Sequence, residues 1–280
     1  MSDLLFYFLL FLFGASIGSF ACVVVARHQI SSPWSGRSKC MACNKSLASY
    51  ELIPIFSFLF LKGRCGKCKV KIDREYFWTE IVAGILAILT YYFFLKDYFE
   101  LLFSEISWGL MITGILFAIF YTFLLALFLI IILYDLKHKI VPLLFSICII
   151  IIGVAFAVFR AVFEINNLYN FHTIIYWLDI FSGFLVALPF FLFFIFSKGK
   201  AVGGGDILLY FGIGSLAGFT YGVSIFLISI WLGAIVALIL ILSDKNYTRK
   251  SQIPFAPFIL IATILVLFWK IDVVGLAYLF

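Results

Sequence analysis

"KAVGGGDILLYFGIGSLAG", Lys200 to Gly218, sets three glycines before an aspartate, Asp206, and then runs straight on into apolar residues. A carboxylate beside hydrocarbon is expensive, and inside membrane helices such a group is functional by default. The stretch therefore asks two questions: whether the apolar run is a membrane helix, and what the carboxylate does there. Composition answers the first. Of 280 residues, 65% are hydrophobic and 12% are charged, whereas a soluble domain is roughly half apolar and about a quarter charged. The excess extends along most of the chain and excludes a soluble globular domain. The expected fold is all-α: a polytopic membrane protein.

Apolar stretches of about 20 residues can cross a bilayer as helices. Eight are expected, at about 3–25, 77–95, 109–134, 141–163, 174–196, 206–221, 223–242 and 255–271. The sixth and seventh share one Gly-rich run, and their division is the least determined. The first has Asp3 where a signal peptide has a basic region and lacks a small-residue cleavage site, so it is read as a mature helix. No internal repeat or low-complexity linker is evident.

Lys and Arg accumulate on the cytoplasmic side of membrane proteins. The loop 26–76 holds ten of them, and with that loop inside, the inner loops together hold 17 of the 20. These include Lys137, Lys139, Lys198, Lys200, Lys245, Arg249 and Lys250; Lys96, Arg160 and Lys270 fall outside. Asp97, Glu100, Glu105 and Glu164 make the outer loops acidic, and both termini are expected outside. The net charge of +6 reports this asymmetry and carries no nucleic-acid inference.

Two CxxC pairs, Cys40/Cys43 in "CMAC" and Cys65/Cys68 in "CGKC", lie in the basic loop. Two short knuckles aim four sulfurs at one point, which suits a tetrahedral Zn²⁺, and a four-cysteine site has no open position and is structural. The alternatives are two disulfides or four free thiols; a cytoplasmic location disfavours disulfides. Cys22 and Cys148, within spans, read as small buried residues.

Asp135, in "ILYDLKHKIVP", ends the third span, and Asp206 begins the sixth. A topology derived from Lys and Arg alone puts both at one depth on one side. Two carboxylates in a partly desolvated site cannot easily both ionise, so they share a proton. One can then take a proton from water while the other polarises an amide carbonyl, with no metal, organic cofactor or covalent intermediate. Gly203, Gly204 and Gly205 would let a substrate backbone approach closely, with φ unrestricted. Each acid has a plainer reading: Asp206 as the N-cap of its helix, Asp135 as an interfacial partner of Lys137 or Lys139. Asp179 lies toward the outer side, Glu80 near the inner end of the second span within reach of the cysteine loop. His138 stands among lysines, and His28 and His172 carry no partner motif. No nucleophile elbow, HExxH or phosphate loop is present.

These motifs resemble, in order and over almost the full length, the type IV prepilin leader peptidase family of bacterial intramembrane aspartic proteases. "GSFACVVVAR" (Gly18–Arg27) is followed by the CxxC pairs with "YELIPIFSFLFLKGRC" between them. "REYFWTE" (ending at Glu80), "DLKHKIVP" (Asp135–Pro142), "GGGDILL" from Gly203 and "IPFAPF" from Ile253 complete the set. The resemblance implies that Asp135 and Asp206 are the catalytic pair. It implies substrates that are prepilins or pseudopilins, each with a short basic leader before an apolar helix, cut after a leader Gly at the cytoplasmic face of the bacterial inner membrane. It also implies N-methylation of the new terminus with S-adenosylmethionine through the large loop, with Arg27 and Glu80 at its borders. The sequence departs from the family pattern at Cys22, where Asn is usual, at Ala256, where Gly is usual, and at "ELIP". The expected organisation is a first helix at 1–25, a zinc-binding, methyl-transfer loop at 26–76 and a peptidase domain at 77–280. The rival reading is a non-enzymatic transporter or zinc-anchored scaffold; a transporter favours midplane charges and repeated halves.

Overall fold

The computed structural model describes residues 2–28, 36–40, 42–104, 108–166, 173–199, 202–243 and 252–275. Glu105, His172, Lys200, Lys245, Arg249 and Lys250 lie outside them, as does the side chain of Glu164. The described residues form α1 (Ser2–Arg27), α2 (Phe56–Phe60), α3 (Arg74–Thr90), α4 (Lys96–Ser104), α5 (Trp108–His138) and α6 (Leu143–Asn166). The series continues with α7 (Thr173–Ile180), α8 (Ser182–Ser197), α9 (Gly204–Ala217), α10 (Phe219–Ser243) and α11 (Ala256–Trp269). One turn of π-helix, Tyr91–Leu95, joins α3 to α4.

Among the described residues, five helical stretches are long and apolar enough to cross a membrane: Asp3–Arg27, Arg74–Leu101, Gly109–His138, Leu143–Val162 and Phe219–Ser243. The helices α8, α9 and α11 are shorter and equally apolar, so the eight expected stretches are all helical. Two boundaries differ from expectation. The fifth stretch is interrupted at Phe181, whose ψ of 6° departs from the helix. The sixth ends at Ala217, because Gly218 adopts φ +84° and turns the chain into α10. A side chain there would also meet Arg160 Nη1 at 2.7 Å and Asp179 Oδ1 at 3.0 Å. Asp179 accepts the Phe219 N–H (2.8 Å), satisfying a first-turn donor of α10, and Arg160 donates to Ser215 O (2.9 Å).

The chain forms two compact units, Met1–Leu133 and Tyr134–Phe280. In the first, α1 packs along α3 through small residues that the sequence spaces four apart. A Cβ on Gly14 would meet Ala87 Cβ at 2.5 Å and Ala83 O at 2.6 Å; one on Gly18 would meet Ala83 Cβ at 2.8 Å. This is the GxxxG logic of membrane helices, where close backbone approach replaces the hydrophobic drive that lipid cannot supply.

In the second unit α9 is central, packed by α6, α8, α10 and α11. Its contacts are again made by glycines: Gly212 lies against Ile149 and Ile150 of α6, and Gly214 against Val186 of α8. Ser182 donates its hydroxyl to Gly214 O (2.9 Å). With 14 residues, α9 is about 21 Å long against a hydrocarbon layer of about 30 Å. Four neighbours therefore enclose a helix too short to span the layer alone.

Gly14→Ala is expected to cost about 1–3 kcal/mol by overpacking the α1–α3 contact, read as a lower thermal midpoint in detergent. Gly114→Ala, at a position with nothing within 4 Å of the added carbon, is expected to be neutral or slightly stabilising.

Candidate active site

Asp135 lies in the last turn of α5, which Lys139 ends in a left-handed conformation (φ +53°) with its N–H on Asp135 O (2.7 Å). Pro142 then stands immediately before α6, where its missing N–H is not needed. The Asp135 side chain is 3% exposed. Its Oδ2 accepts the Ala256 N–H at 3.0 Å, and the Phe255 N–H also bonds the carboxylate. These two amides open α11. A helix N-terminus offers unsatisfied N–H groups and a favourable dipole to an anion, so α11 is the seat of this carboxylate. The interfacial reading of Asp135 does not describe it. Ala256, the family departure noted above, contributes a backbone donor, so the contact survives the change from Gly.

Asp206 is the third residue of α9, whose N-cap is Gly203; it is therefore not itself the cap. Its carboxylate reaches back to the Gly203 N–H, the acidic half of a capping box, and is half-buried. The charges of Asp135 and Asp206 act on one another, so the second unit brings the two acids together.

The glycines divide the labour differently from the expectation. None of the three adopts positive φ. A Cβ on Gly205 would meet Val141 Cβ at 2.6 Å, so Gly205 admits the loop that follows Asp135. Gly204 faces open space, and a Cβ on Gly203 would lie 3.3 Å from Asp206 Oδ2. Gly203 and Gly204 are exposed, whereas Gly205 is half-buried.

One turn beyond Asp206, Tyr210 is fully buried, with its hydroxyl 2.5 Å from Ser229 Oγ. Phe190 packs on Tyr210 (ring centroids 4.7 Å) and on Phe255 (5.5 Å). This aromatic set ties α9 to Phe255, whose own amide is one of the two that hold Asp135. Sequence reading missed Tyr210, Ser229 and Val141; the i, i+4 spacing of Asp206 and Tyr210 was the available signal. His138 stacks near Tyr134 (4.5 Å), and Asp179 serves the α10 terminus.

The four loop cysteines converge in the first unit. Their Sγ atoms all lie within 4.8 Å of one another, and Cys40 and Cys68 are 3.8 Å apart. A tetrahedron with metal–sulfur bonds of about 2.3 Å has edges of about 3.8 Å, so the donor set fits a Zn²⁺-sized ion. The two knuckles are one fold used twice, a local repeat that the sequence reading did not find. Cys40 N–H bonds Lys45 O (3.0 Å) and Cys65 N–H bonds Val70 O (2.9 Å). Asn44 and Lys69 take positive φ at matching positions, and the bridges Lys39–Ser46 and Arg64–Lys71 close each turn. The amides of Cys68 and Lys67 hold the Cys65 thiol down to about 6, and those of Cys43 and Ala42 lower Cys40. At about 6 the Cys65 thiol is a thiolate, the metal-binding form, at neutral pH, whereas burial and the neighbouring sulfurs push Cys68 up to about 11.

Glu51, of the "ELIP" departure, joins the knuckles. Both its oxygens accept Lys45 Nζ at 3.1 Å, Oε2 accepts the Ala48 N–H at 2.8 Å, and Gly66 leaves room for the carboxylate. The Ala48 amide and the Lys45 ammonium hold this carboxyl below the usual range. Glu80, on α3, reaches the loop as expected: its Oε2 accepts the Ile55 N–H at 2.6 Å. Ile55 has φ +65° and ψ −53°, and Phe56 N–H bonds Pro54 O (2.6 Å). That is a γ-turn on a β-branched residue, a strained conformation of order 1–3 kcal/mol, and it aims the amide at Glu80. Beside it lies a cavity of about 370 Å³ walled by Ser19 and Arg27 of α1, Phe58 of α2, Cys65, Tyr76 and Glu80 among others. Arg27 also donates to Arg37 O (3.2 Å).

Gly205→Ala is expected to lower the thermal midpoint by driving a methyl into Val141. Adding Val141→Ala is expected to restore most of the loss, a coupling that a double-mutant cycle reads directly.

Comparison with known proteins agrees with the two-part structure. The bacterial peptidase A24 N-terminal domain matches residues 12–94, spanning α1, the cysteine knuckles and α3. The type IV leader peptidase family matches residues 122–238, spanning both aspartates. The prepilin leader peptidase/N-methyltransferase of Bacillus subtilis (strain 168) is 27% identical over 264 residues, 92% of each chain. That of Vibrio cholerae is 26% identical over 262 residues, 90% of this chain and 92% of its own. The one from Myxococcus xanthus is 42% identical over 83 residues, 29% of this chain and 25% of its own. No solved structure matches. The two matches displace the transporter and scaffold alternatives: this multi-pass membrane protein is a peptidase and belongs to the type IV leader peptidase family.

Proposed function

We propose that the chain removes the leader peptide of type IV prepilins or pseudopilins, using Asp135 and Asp206 as its catalytic pair. The observation that carries this reading is the seating of Asp135 on the α11 amides within charge range of Asp206 at the start of α9. Two acids so placed share one proton. The ionised member takes a proton from water, the protonated member polarises the scissile carbonyl, and the hydroxide equivalent adds to it. Collapse expels the new amine, which takes up a proton. Gly204, with open space where a side chain would stand, is the point of close substrate approach, and Gly203 and Gly205 hold the turn that presents it.

The basic loop 26–76 faces the cytoplasm, both termini face outward, and cleavage occurs at the inner face of the membrane. The loop holds one structural Zn²⁺ on Cys40, Cys43, Cys65 and Cys68. It supports methylation of the new terminal amine, the second activity in the names of the relatives. The cavity between α1, the knuckles and α3 is of ligand size, about 370 Å³, within the usual range of roughly 300–1,000 Å³. S-Adenosylmethionine, held at the end of the cavity nearer the knuckles, would supply an electrophilic methyl group, with Arg27 on the wall and Glu80 at the opposite, helix end. The peptidase domain is the remainder, 77–280.

Cleavage of a co-expressed prepilin, read by gel shift, tests the pair. Asp135→Asn and Asp206→Asn keep shape and remove the titrating proton, and each is expected to leave the precursor uncut, a loss of at least about 10²-fold. Near-normal processing by either variant sinks the paired mechanism.

Metal analysis of the purified chain is expected to find one zinc per chain. Cys65→Ser should lower zinc affinity sharply and loosen the loop, seen as faster proteolysis within 36–76.

A further inference from the structure

Two buried carboxylates line the cavity of the first unit, and they are treated differently. Glu51, 7% exposed, is neutralised by Lys45. Glu80, 8% exposed, is held by the Ile55 N–H and the Ser19 hydroxyl, with no ion pair among the described residues. A buried carboxyl group that has hydrogen bonds but no countercharge, on the wall of a ligand-sized cavity, is a place for a cation. The γ-turn at Ile55 presents its amide to this carboxylate.

Two cations belong to the methyl-transfer reading, on which this inference rests: the amine to be methylated and the sulfonium donor. Position favours the amine. Glu80 and Ser19 come from the membrane helices α3 and α1, whereas Cys40, Cys65 and Gly66 come from the water-facing knuckles. An amino group heading an apolar helix arrives at the membrane end. A water-soluble nucleoside arrives from the loop end, where Phe58 and Tyr76 offer aromatic walls.

We propose that Glu80 is the acceptor for the substrate's terminal ammonium and takes its proton. An ammonium has no lone pair and cannot attack. Glu80 removes one proton, leaving a neutral amine and a carboxylic acid. The amine lone pair forms the new N–C bond, the C–S bond breaks with its pair left on sulfur, and the product is a secondary ammonium. Charge and protons balance without a further reactant.

The test uses the full-length, zinc-loaded chain in detergent and two peptides of a mature pilin N-terminus, one with a free amine and one N-acetylated. Wild type is expected to bind the free-amine peptide about tenfold more tightly. Glu80→Gln should abolish that preference and reduce methyl transfer from labelled S-adenosylmethionine at least about 10²-fold. Binding of S-adenosylhomocysteine, read by calorimetry, should stay within about twofold. Glu80→Asp, which keeps the charge, should retain part of the preference, and zinc content reports folding for both variants. The proposal is overturned if Glu80→Gln keeps the preference or transfers methyl at near wild-type rate. It is overturned equally if the zinc-loaded variant loses S-adenosylhomocysteine instead of the preference, or if zinc-loaded Glu80→Asp has no preference. A wild type that transfers no methyl defeats the methyl-transfer reading alone, since the amine preference and its loss in Glu80→Gln remain measurable.

Discussion

The hydrogen bond from Ala256 N–H to Asp135 Oδ2, 3.0 Å long, joins two buried residues 121 positions apart. A carboxylate at the end of an apolar helix has few ways to be tolerated: solvent, a countercharge, or the unsatisfied amides of another helix. The chain uses the third. That choice brings the α11 terminus to the end of α5. Phe255, beside those amides, rests on Phe190, which rests in turn on Tyr210 of α9. Gly205 closes the circuit by accepting Val141, from the loop behind Asp135, into the space of its missing side chain. The position of each acid is thus determined by the seat of the other.

The same economy governs the rest of the bilayer-embedded structure. Lipid is as apolar as leucine, so helices there gain little by hiding hydrophobic surface from it. Close backbone approach and buried hydroxyls substitute, as at Gly14 and Gly18 against α3 and at Ser182 against Gly214. Three of the apolar helices are short, and the centrally packed one carries Asp206.

The first unit answers a different problem, that of a basic loop almost without regular secondary structure. Its order comes from two equivalent knuckles, four convergent sulfurs and one carboxylate, Glu51, that reaches Lys45 in the first knuckle and lies against Gly66 in the second. Glu80 extends the arrangement into the helices. Two acids in one cavity, one with its countercharge and one without, give that cavity a polarity that a purely structural loop would not need.

By itself the sequence determined the fold class and the apolar helical stretches, and it singled out the cysteine quartet and the two aspartates, because each depends on local composition or spacing. Hydrophobic runs, CxxC turns and a GxGD stretch are read within a few residues. It also marked the region of the sixth helix boundary without resolving it, since the turn at Gly218 depends on Asp179 and Arg160 from elsewhere in the chain. The tertiary structure alone decided what Gly205 is for, why Asp135 is buried on α11, and that Glu80 meets a strained turn at Ile55. The physical reason is common to all three: each is a partnership between residues far apart in sequence, a Val141 side chain for Gly205, the α11 amides for Asp135 and the Ile55 amide for Glu80, and no local pattern encodes the identity of a distant partner.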